Sequence, residues 1–217
     1  LPSGESQKNF DNVSALLDQL LTLQLERNDT IIAIGGGVIG DLSGFVSSIY
    51  LRGINFIQIP TTLLAQVDAS IGGKTGVNHQ KGKNLIGSFY QANSIWINLN
   101  TLNTLPEREI KCGMAEVIKY GIIRNPSLFE YLVENLHTFK SGYSEETSSK
   151  WAHIITQSVQ DKVDVVMADE KEAGIRATLN FGHTIAHGIE GATQYGTYNH
   201  GEAVAIGMII ESEIAQK

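Results

Sequence analysis

Apolar residues recur at two different spacings along this chain, and the spacing changes near Leu102. Leucines between positions 9 and 27 recur every three to four residues, at positions 16, 17, 20, 21 and 25, which predicts an amphipathic helix. Short apolar runs follow at IIAIG, FIQIP and SIWINL, and the helical segment FVSSIYL lies between the first two. Strands that alternate with helices predict a parallel α/β sheet.

The second half of the chain carries a period of three to four throughout. PEREIKCGMAEVIKYGIIR, SLFEYLVENL and KWAHIITQSVQDKVDVVMADE lack the alternation of strands, so we expect only helices there. Helix breaks are predicted at Asn125-Pro126, at Ser141-Gly142 and within YGTYNHG. We therefore predict two domains, 1–102 and 103–217, and we expect a small-molecule site in the cleft between them.

The composition excludes several classes of protein. The 217 residues carry a formal net charge of −7, which argues against nucleic acid and anionic membranes as broad electrostatic partners. No apolar run reaches the roughly 18 residues of a membrane span. The single cysteine, Cys112, cannot form an internal disulfide, which suits the reducing cytoplasm. Because the chain starts without a methionine and stops inside an apolar, helix-like run, we expect it to be a fragment of a longer protein.

The turn GGGVIGD, at residues 35–41, follows a predicted strand and opens a predicted helix. Its spacing satisfies G-x-G-x-x-G, in which glycines let a diphosphate approach the amides of a helix N-terminus. The acidic residue that usually holds a ribose about 20 residues later is missing, since that region reads NFIQIP. A dinucleotide site and a tight turn without a ligand both remain open here.

A second glycine-rich segment, PTTLLAQVDASIGGKTGVNHQKGKN, contains Lys74, Lys81 and Lys83. Glycines expose the backbone to a phosphate and lysines neutralise its charge, although the spacing of a Walker A loop is not met. The segment is therefore either an anion-binding loop or a solvated surface loop. Thr61 and Thr62 either cap the next helix or bind a ligand.

The segment NFGHTIAHGIE places His183 and His187 four residues apart, on one face of a predicted helix. HTIAH lacks the glutamate of a zinc peptidase, and a catalytic zinc usually takes a third protein ligand. His200 and Glu116 are the candidates for it. The alternative is that the pair consists of two hydrogen-bonded polar residues.

Basic residues of the second half add a possible anion site. Lys119 lies one turn after Glu116, and Lys162 and Arg176 flank VVMADEKEAGI. Each alone is typical of a solvated surface charge. Together with a metal they would suit a substrate that carries carboxylate and phosphate groups.

The motifs together resemble one family, 3-dehydroquinate synthase, and the match runs in order from about Pro2 to the end. The matching stretches are GGGVIGDLSGF, YLRG, IPTTLLAQVDASIGGKTGVN, KGKNLIGSF, LPEREIKCGMAEVIKYG, DEKEAGIRATLNFGHTIAHGIE and HGEAVAIGM. The resemblance implies a Rossmann-like, NAD-binding α/β domain at 1–102 followed by an all-helical domain at 103–217 that binds metal and substrate. It also implies zinc or cobalt as the metal, a cytoplasmic homodimer, and family sequence beyond both ends of this chain.

The resemblance assigns roles to individual residues. The metal ligands are Glu116, His183 and His200, which leaves His187 near the substrate as a phosphate-binding or proton-handling group. The substrate contacts are His187, Lys119, Lys162, Arg176, Asn180, Asn84, Asp68 and Arg52. The NAD contacts are Glu5, Lys8, Gly36, Gly37, Val38, Ile39, Gly40, Asp41, Thr61, Thr62, Lys74, Lys83, Thr101 and Thr104.

The reaction implied by the resemblance belongs to the shikimate pathway of aromatic amino acid biosynthesis. It converts 3-deoxy-D-arabino-heptulosonate 7-phosphate to 3-dehydroquinate and phosphate through transient oxidation by NAD, phosphate elimination, re-reduction and aldol closure. The alternatives are another sugar phosphate cyclase, a metal-dependent polyol dehydrogenase, and a binding remnant without catalytic activity.

Overall fold

A computed structural model describes residues 1–193 and 197–216 of the chain. They form two compact units, the first spanning Leu1–Asn98 and the second beginning at Leu99. The first unit mixes strands and helices, whereas the described residues of the second contain helices and no strands. The predicted fold class is thereby confirmed. Within the described ranges, no helix has the length and apolar character needed to cross a membrane.

A parallel three-stranded sheet organises the first unit. The elements, in chain order, are α1 (Phe10–Thr22), β1 (Thr30–Gly35), α2 (Gly37–Ile49), β2 (Asn55–Pro60), β3 (Lys74–His79), β4 (Gly82–Phe89) and β5 (Ser94–Ile95). The sheet order is β1-β2-β5, with Ile32 of β1 opposite Ile57 of β2. The three apolar runs of the sequence thus supply its three strands, as predicted, although the third contributes only two residues.

Strands β3 and β4 form an antiparallel hairpin that begins in the second glycine-rich segment and continues past it to Phe89. The sequence predicted a loop there, because glycines and lysines interrupt the apolar positions. Val77 of β3 is fully buried, and it packs with Val13 of α1 and with Leu42 and Phe45 of α2, while Ile86 of β4 packs against the same cluster. The hairpin forms because these alternate residues complete the core beneath α1 and α2.

The described residues of the second unit are mainly helical. Its α-helices are α3 (Glu107–Ile123), α4 (Pro126–Glu134), α5 (Leu136–Lys140), α6 (Ser148–Ala168), α7 (His183–Ala192) and α8 (His200–Ala215). The predicted break at Asn125-Pro126 is confirmed, and the Asn125 side chain accepts a hydrogen bond from the Leu128 amide at 3.1 Å to cap α4. The break at Ser141-Gly142 follows α5. The predicted break in YGTYNHG begins with residues 195 and 196, which lie outside the described residues.

Helices α7 and α8 pack closely around a small core. Ala186 of α7 and Ala203, Val204 and Met208 of α8 are buried together. Helix α8 begins at His200 because Asn199 and Glu202 form a capping box, each side chain accepting from the other residue's backbone amide at 2.9 Å. His200 is thus the first residue of α8, and His183 is likewise the first residue of α7.

Candidate functional site

Three side chains from different helices of the second unit converge on one point. Glu116 of α3, His183 of α7 and His200 of α8 offer ligand atoms that lie within 4.8 Å of one another. The Glu116 carboxylate is fully buried, and its Oε1 lies 3.5 Å from Nε2 of His183 and 3.4 Å from Nε2 of His200. The sequence left the third ligand open between His200 and Glu116, and the structure brings both of them to His183.

The spacing of these atoms suits a tetrahedral metal. Bonds of about 2.1 Å at tetrahedral angles place neighbouring ligand atoms about 3.4 Å apart. The two distances from Glu116 Oε1, 3.5 Å and 3.4 Å, match that separation. Two imidazoles and one carboxylate form a common ligand set for catalytic zinc. These three residues could therefore hold a divalent cation, and their role as ligands stays a prediction.

Buried charged groups of both signs surround the triad. Lys119 Nζ forms an ion pair with Glu116 Oε2, inside the same helix. Burial lowers the pKa of His183, more than the Glu116 carboxylate raises it. Burial also lowers the pKa of His200, but Glu116 and Glu190 outweigh it and raise the pKa to about 9. Because a metal binds the unprotonated imidazole, it would replace the proton that these two carboxylates attract to His200.

Gly201 allows α8 to approach α3 closely at the position next to His200. A Cβ on Gly201 would lie 2.2 Å from the carbonyl oxygen of Cys112, and the Gly201 amide donates to Cys112 Sγ at 3.1 Å. Cys112 precedes Glu116 by one helical turn. This backbone contact therefore sets the distance between His200 and Glu116.

Gly182, which precedes His183, allows a second close contact, between the start of α7 and helix α8. It has φ +81°, and a Cβ there would lie 2.6 Å from Met208 Cγ, while a Cβ on Gly207 would lie 2.0 Å from the Gly182 carbonyl oxygen. The Gly182 amide also donates to Glu211 Oε2 at 2.7 Å. Only glycine accepts both the left-handed backbone and this contact, so the start of α7 is fixed against α8.

His187 lies outside the triad. It is exposed, and its ring centroid is 5.8 Å from that of His183. The structure therefore places His187 beside His183, one helical turn further along α7. Its role toward a substrate stays a prediction.

The other predicted substrate residues of the second unit differ in burial. Lys119, Lys162 and Arg176 are 1%, 7% and 2% exposed, which the sequence did not reveal, because a lone basic residue is typical of a solvated surface. Asn180 is exposed and donates to Glu172 Oε1 at 2.9 Å. Three of these four residues are thus held inside the unit.

Asp169 holds the segment that carries Arg176. Its carboxylate accepts hydrogen bonds from the backbone amides of Ala173, Gly174 and Arg176 at 2.8, 2.7 and 3.0 Å. These bonds lower the pKa of Asp169 below its usual range. The Arg176 guanidinium also donates to the carbonyl of Glu170. This anchor was not predicted, although an aspartate followed by a glycine-containing turn is its local signal.

A polar network in the first unit joins residues that the resemblance assigned to NAD and to substrate. The buried ammonium of Lys8 forms an ion pair with Asp41 in the first turns of α2 and donates to Asn84 Oδ1. Asn78 links the network to Glu5, whose Oε1 accepts from Asn78 Nδ2 at 2.8 Å, and Asn78 Oδ1 accepts from the Asn84 amide at 3.0 Å. The sequence missed Asn78, because a lone asparagine beside glycines looks like a turn residue.

The glycine turn has a packing role of its own. Gly36 is the N-cap of α2, and it has no side chain that could cap the helix. A Cβ on Gly40 would lie 2.6 Å from Gln58 Oε1 of β2, so a side chain at this position would displace the Gln58 amide. Gly37, Val38 and Ile39 form the first turn of α2. The geometry suits both a phosphate site and a tight turn, so the NAD role stays a prediction.

The remaining predicted residues are spread over both units. Thr62 Oγ1 accepts from the Ala65 amide at 3.2 Å, which makes it a cap of the following helical segment. Asp68 lies in that segment, a π-helix at Ala65–Ala69. The residues Thr61, Lys74, Lys83 and Arg52 also lie in the first unit, whereas Thr101 and Thr104 lie in a 3₁₀-helix at Leu99–Thr104 of the second.

Two family models match this chain along its whole length. The one described as 3-dehydroquinate synthase N-terminal matches residues 1–112, and the one described as 3-dehydroquinate synthase C-terminal matches residues 113–217. The 3-dehydroquinate synthase of Microcystis aeruginosa is 54% identical over 217 residues, which is 100% of this chain and 59% of that protein. The chain thus spans about three-fifths of the length of such curated relatives.

Solved structures of sugar phosphate cyclases share the fold. The 2-epi-5-epi-valiolone synthase of Streptomyces hygroscopicus, with NAD+ and Zn2+ bound, superposes with a TM-score of 0.89 at 29% identity over 96% of this chain and 57% of that one. A 2-deoxy-scyllo-inosose synthase complexed with carbaglucose-6-phosphate, NAD+ and Co2+ gives 0.85 at 30% identity over 100% and 57%. The matches to the two family models cover every residue of this chain, which belongs to the 3-dehydroquinate synthase family.

Proposed function

We propose that the full-length protein is a 3-dehydroquinate synthase, a phosphorus–oxygen lyase of the shikimate pathway. It converts 3-deoxy-D-arabino-heptulosonate 7-phosphate to 3-dehydroquinate and inorganic phosphate, with NAD and a divalent metal, zinc or cobalt, as cofactors. Membership of the family supports the reaction. The observation that carries the proposal is the convergence of Glu116, His183 and His200 at the spacing of a tetrahedral metal site.

Different residues bind the two cofactors in this proposal. Glu116, His183 and His200 bind the metal, while the glycine turn, Lys8 and Asp41 contact NAD. When bound, NAD accepts and returns a hydride and the metal polarises substrate oxygens as a Lewis acid. Solved cyclases with NAD+ and Zn2+ or Co2+ bound support this pair of cofactors.

The basic residues of the second unit hold the substrate. Arg176 offers a planar guanidinium that suits bidentate binding of the substrate carboxylate, and Asp169 fixes the backbone that carries it. Lys119 lies against Glu116, which would hold the metal, and its ammonium would stabilise negative charge on a substrate oxygen there. Lys162 and the exposed His187 contribute further polar contacts.

Phosphate elimination and ring closure place different demands on these side chains. Loss of phosphate develops negative charge on the leaving group, which lysines and His187 stabilise. The final aldol closure joins two carbons of one molecule, so it depends on holding the open chain in its reactive conformation. Binding of the substrate carboxylate by Arg176 serves that purpose.

The rival functions predict different products. A valiolone or inosose cyclase would act on a sugar phosphate without a carboxylate, and the buried, anchored Arg176 favours the carboxylate-bearing substrate. A polyol dehydrogenase would accumulate NADH. A binding remnant would release no phosphate.

The test is phosphate release by the full-length protein from the heptulosonate phosphate. We expect release that requires NAD, stops with a chelator, and leaves no net NADH. Release of phosphate only from a heptulose or hexose phosphate without a carboxylate would replace the proposal by another cyclase. Net NADH formation would replace it by a dehydrogenase.

We also propose that the whole protein is a cytoplasmic homodimer. The buried single thiol of Cys112 supports a reducing compartment. Light scattering on the full-length protein tests the dimer, and a mass of one chain would contradict it.

A further inference from the structure

We infer that Glu190 is a positioning residue that holds His200 with its Nε2 toward the metal. The inference rests on the proposed metal site and adds to it a residue that contacts neither metal nor substrate. Glu190 lies on α7, while His200 opens α8. One buried carboxylate would therefore join the two helices that supply the histidine ligands.

The geometry places Glu190 on the far side of the His200 ring. Its Oε1 lies 3.5 Å from His200 Nδ1, and the opposite nitrogen, Nε2, lies 3.4 Å from Glu116 Oε1. Neutral imidazole carries a proton on only one nitrogen. A carboxylate at Nδ1 stabilises the proton there, which leaves the lone pair of Nε2 directed at the candidate metal site.

His183 has the same arrangement with a different acceptor. Its Nδ1 lies 3.2 Å from the backbone carbonyl oxygen of Phe181, which can only accept, and its Nε2 lies 3.5 Å from Glu116 Oε1. Both histidines thus turn Nε2 toward the same carboxylate oxygen and Nδ1 toward an acceptor. Ligand histidines in metalloproteins commonly make such a second hydrogen bond, which fixes ring orientation and tautomer.

The burial of Glu190 points to the same role. Glu190 is only 3% exposed, although a carboxylate is costly to remove from water unless it is paired. Glu190 lies seven residues after His183, which is two helical turns on the same face. Helix α7 thus carries both the candidate ligand His183 and the carboxylate that lies beside His200.

The experiment measures metal affinity in the full-length protein after removal of Glu190. Metal-free wild type and the variants Glu190→Ala and Glu190→Gln are titrated with Zn2+ and Co2+ against a chromophoric chelator. We expect Glu190→Ala to weaken binding by roughly 10- to 100-fold, the usual effect of losing such a partner. Glu190→Gln should lose less, because its amide oxygen still accepts from Nδ1–H. Glu213→Ala, an exposed glutamate on α8, is the matched control and should bind like the wild type.

A second measurement needs no variant. Nitrogen-15 NMR of histidine-labelled wild type with Zn2+ should show His200 protonated at Nδ1 and metal-bound at Nε2. Metal on Nδ1, or an affinity of Glu190→Ala within about twofold of the wild type, would overturn the role of Glu190. A wild type that binds neither metal would instead overturn the proposed function.

Discussion

The contact between Gly201 and Cys112 makes Gly201→Ala the most informative perturbation of the site. The added Cβ would lie 2.2 Å from the Cys112 carbonyl oxygen and 2.4 Å from its Cα. Carbon atoms in contact lie about 3.5 to 4.0 Å apart, so α8 would have to move from α3 by roughly 1 Å or more. His200 is the neighbouring residue, and its Nε2 lies 3.4 Å from Glu116 Oε1.

The displacement should affect the metal site more than the fold. Overpacking of this kind costs about 1 to 3 kcal/mol of unfolding free energy. A shift of about 1 Å at a catalytic group costs on the order of 100-fold in rate. We therefore expect a folded protein with Zn2+ affinity lowered at least tenfold and kcat/KM lowered about 100-fold, measured by chelator competition and phosphate release in the full-length protein.

A matched control separates this effect from the general cost of an added methyl group. Gly191 lies in α7, and a Cβ there would meet nothing within 4 Å. Gly191→Ala should not lower stability, because alanine has the higher helix propensity, and should leave metal affinity unchanged. If Gly201→Ala kept Zn2+ affinity and kcat/KM within threefold of the wild type, the contact would not position His200 as we argue.

Two further predictions concern the anchors of Arg176 and Lys8. Asp169→Ala should raise KM for the heptulosonate phosphate while Zn2+ affinity stays at the wild-type value, and unchanged steady-state kinetics would contradict this. The lowered pKa of Asp169 means that its contribution to stability is present above its unfolded pKa of about 3.9 and is lost as pH falls through the folded value. Urea unfolding between pH 5 and 2 should therefore lose this pH dependence in the variant. Asp41→Ala leaves the buried ammonium of Lys8 without its carboxylate and should cost about 3 kcal/mol in urea unfolding, whereas the double variant Lys8→Met/Asp41→Leu should recover much of it. Equal losses in the single and double variants would refute that reasoning.

The fold was predictable because most elements have local signals. The apolar runs of β1 and β2 and the period of the second half are properties of neighbouring residues. The hairpin of β3 and β4 was not predictable in this way, since Val77 and Ile86 are buried only because α1 and α2 cover them. Tertiary packing therefore stabilises two strands in this segment, although its composition is typical of a loop.

The candidate site was predictable as a set of residue types but not as an arrangement. His183 was visible from its helical spacing with His187, yet the sequence alone left Glu116 and His200 as alternatives. Glu190 had a weak signal, its position two turns after His183 on α7. The contact at Gly201 had none, because a glycine after a histidine says nothing about the helix against which it packs.

His183 and His187 lie on one helix but have different proposed roles, and metal content distinguishes these roles most directly. Full-length wild type, His183→Ala, Glu116→Ala and His187→Ala would be loaded with Zn2+, desalted and analysed for metal and for phosphate release. We predict that His183→Ala and Glu116→Ala lose both metal and turnover, whereas His187→Ala keeps one metal per chain and loses turnover. Metal retained at wild-type stoichiometry in His183→Ala, or lost in His187→Ala, would contradict the assignment.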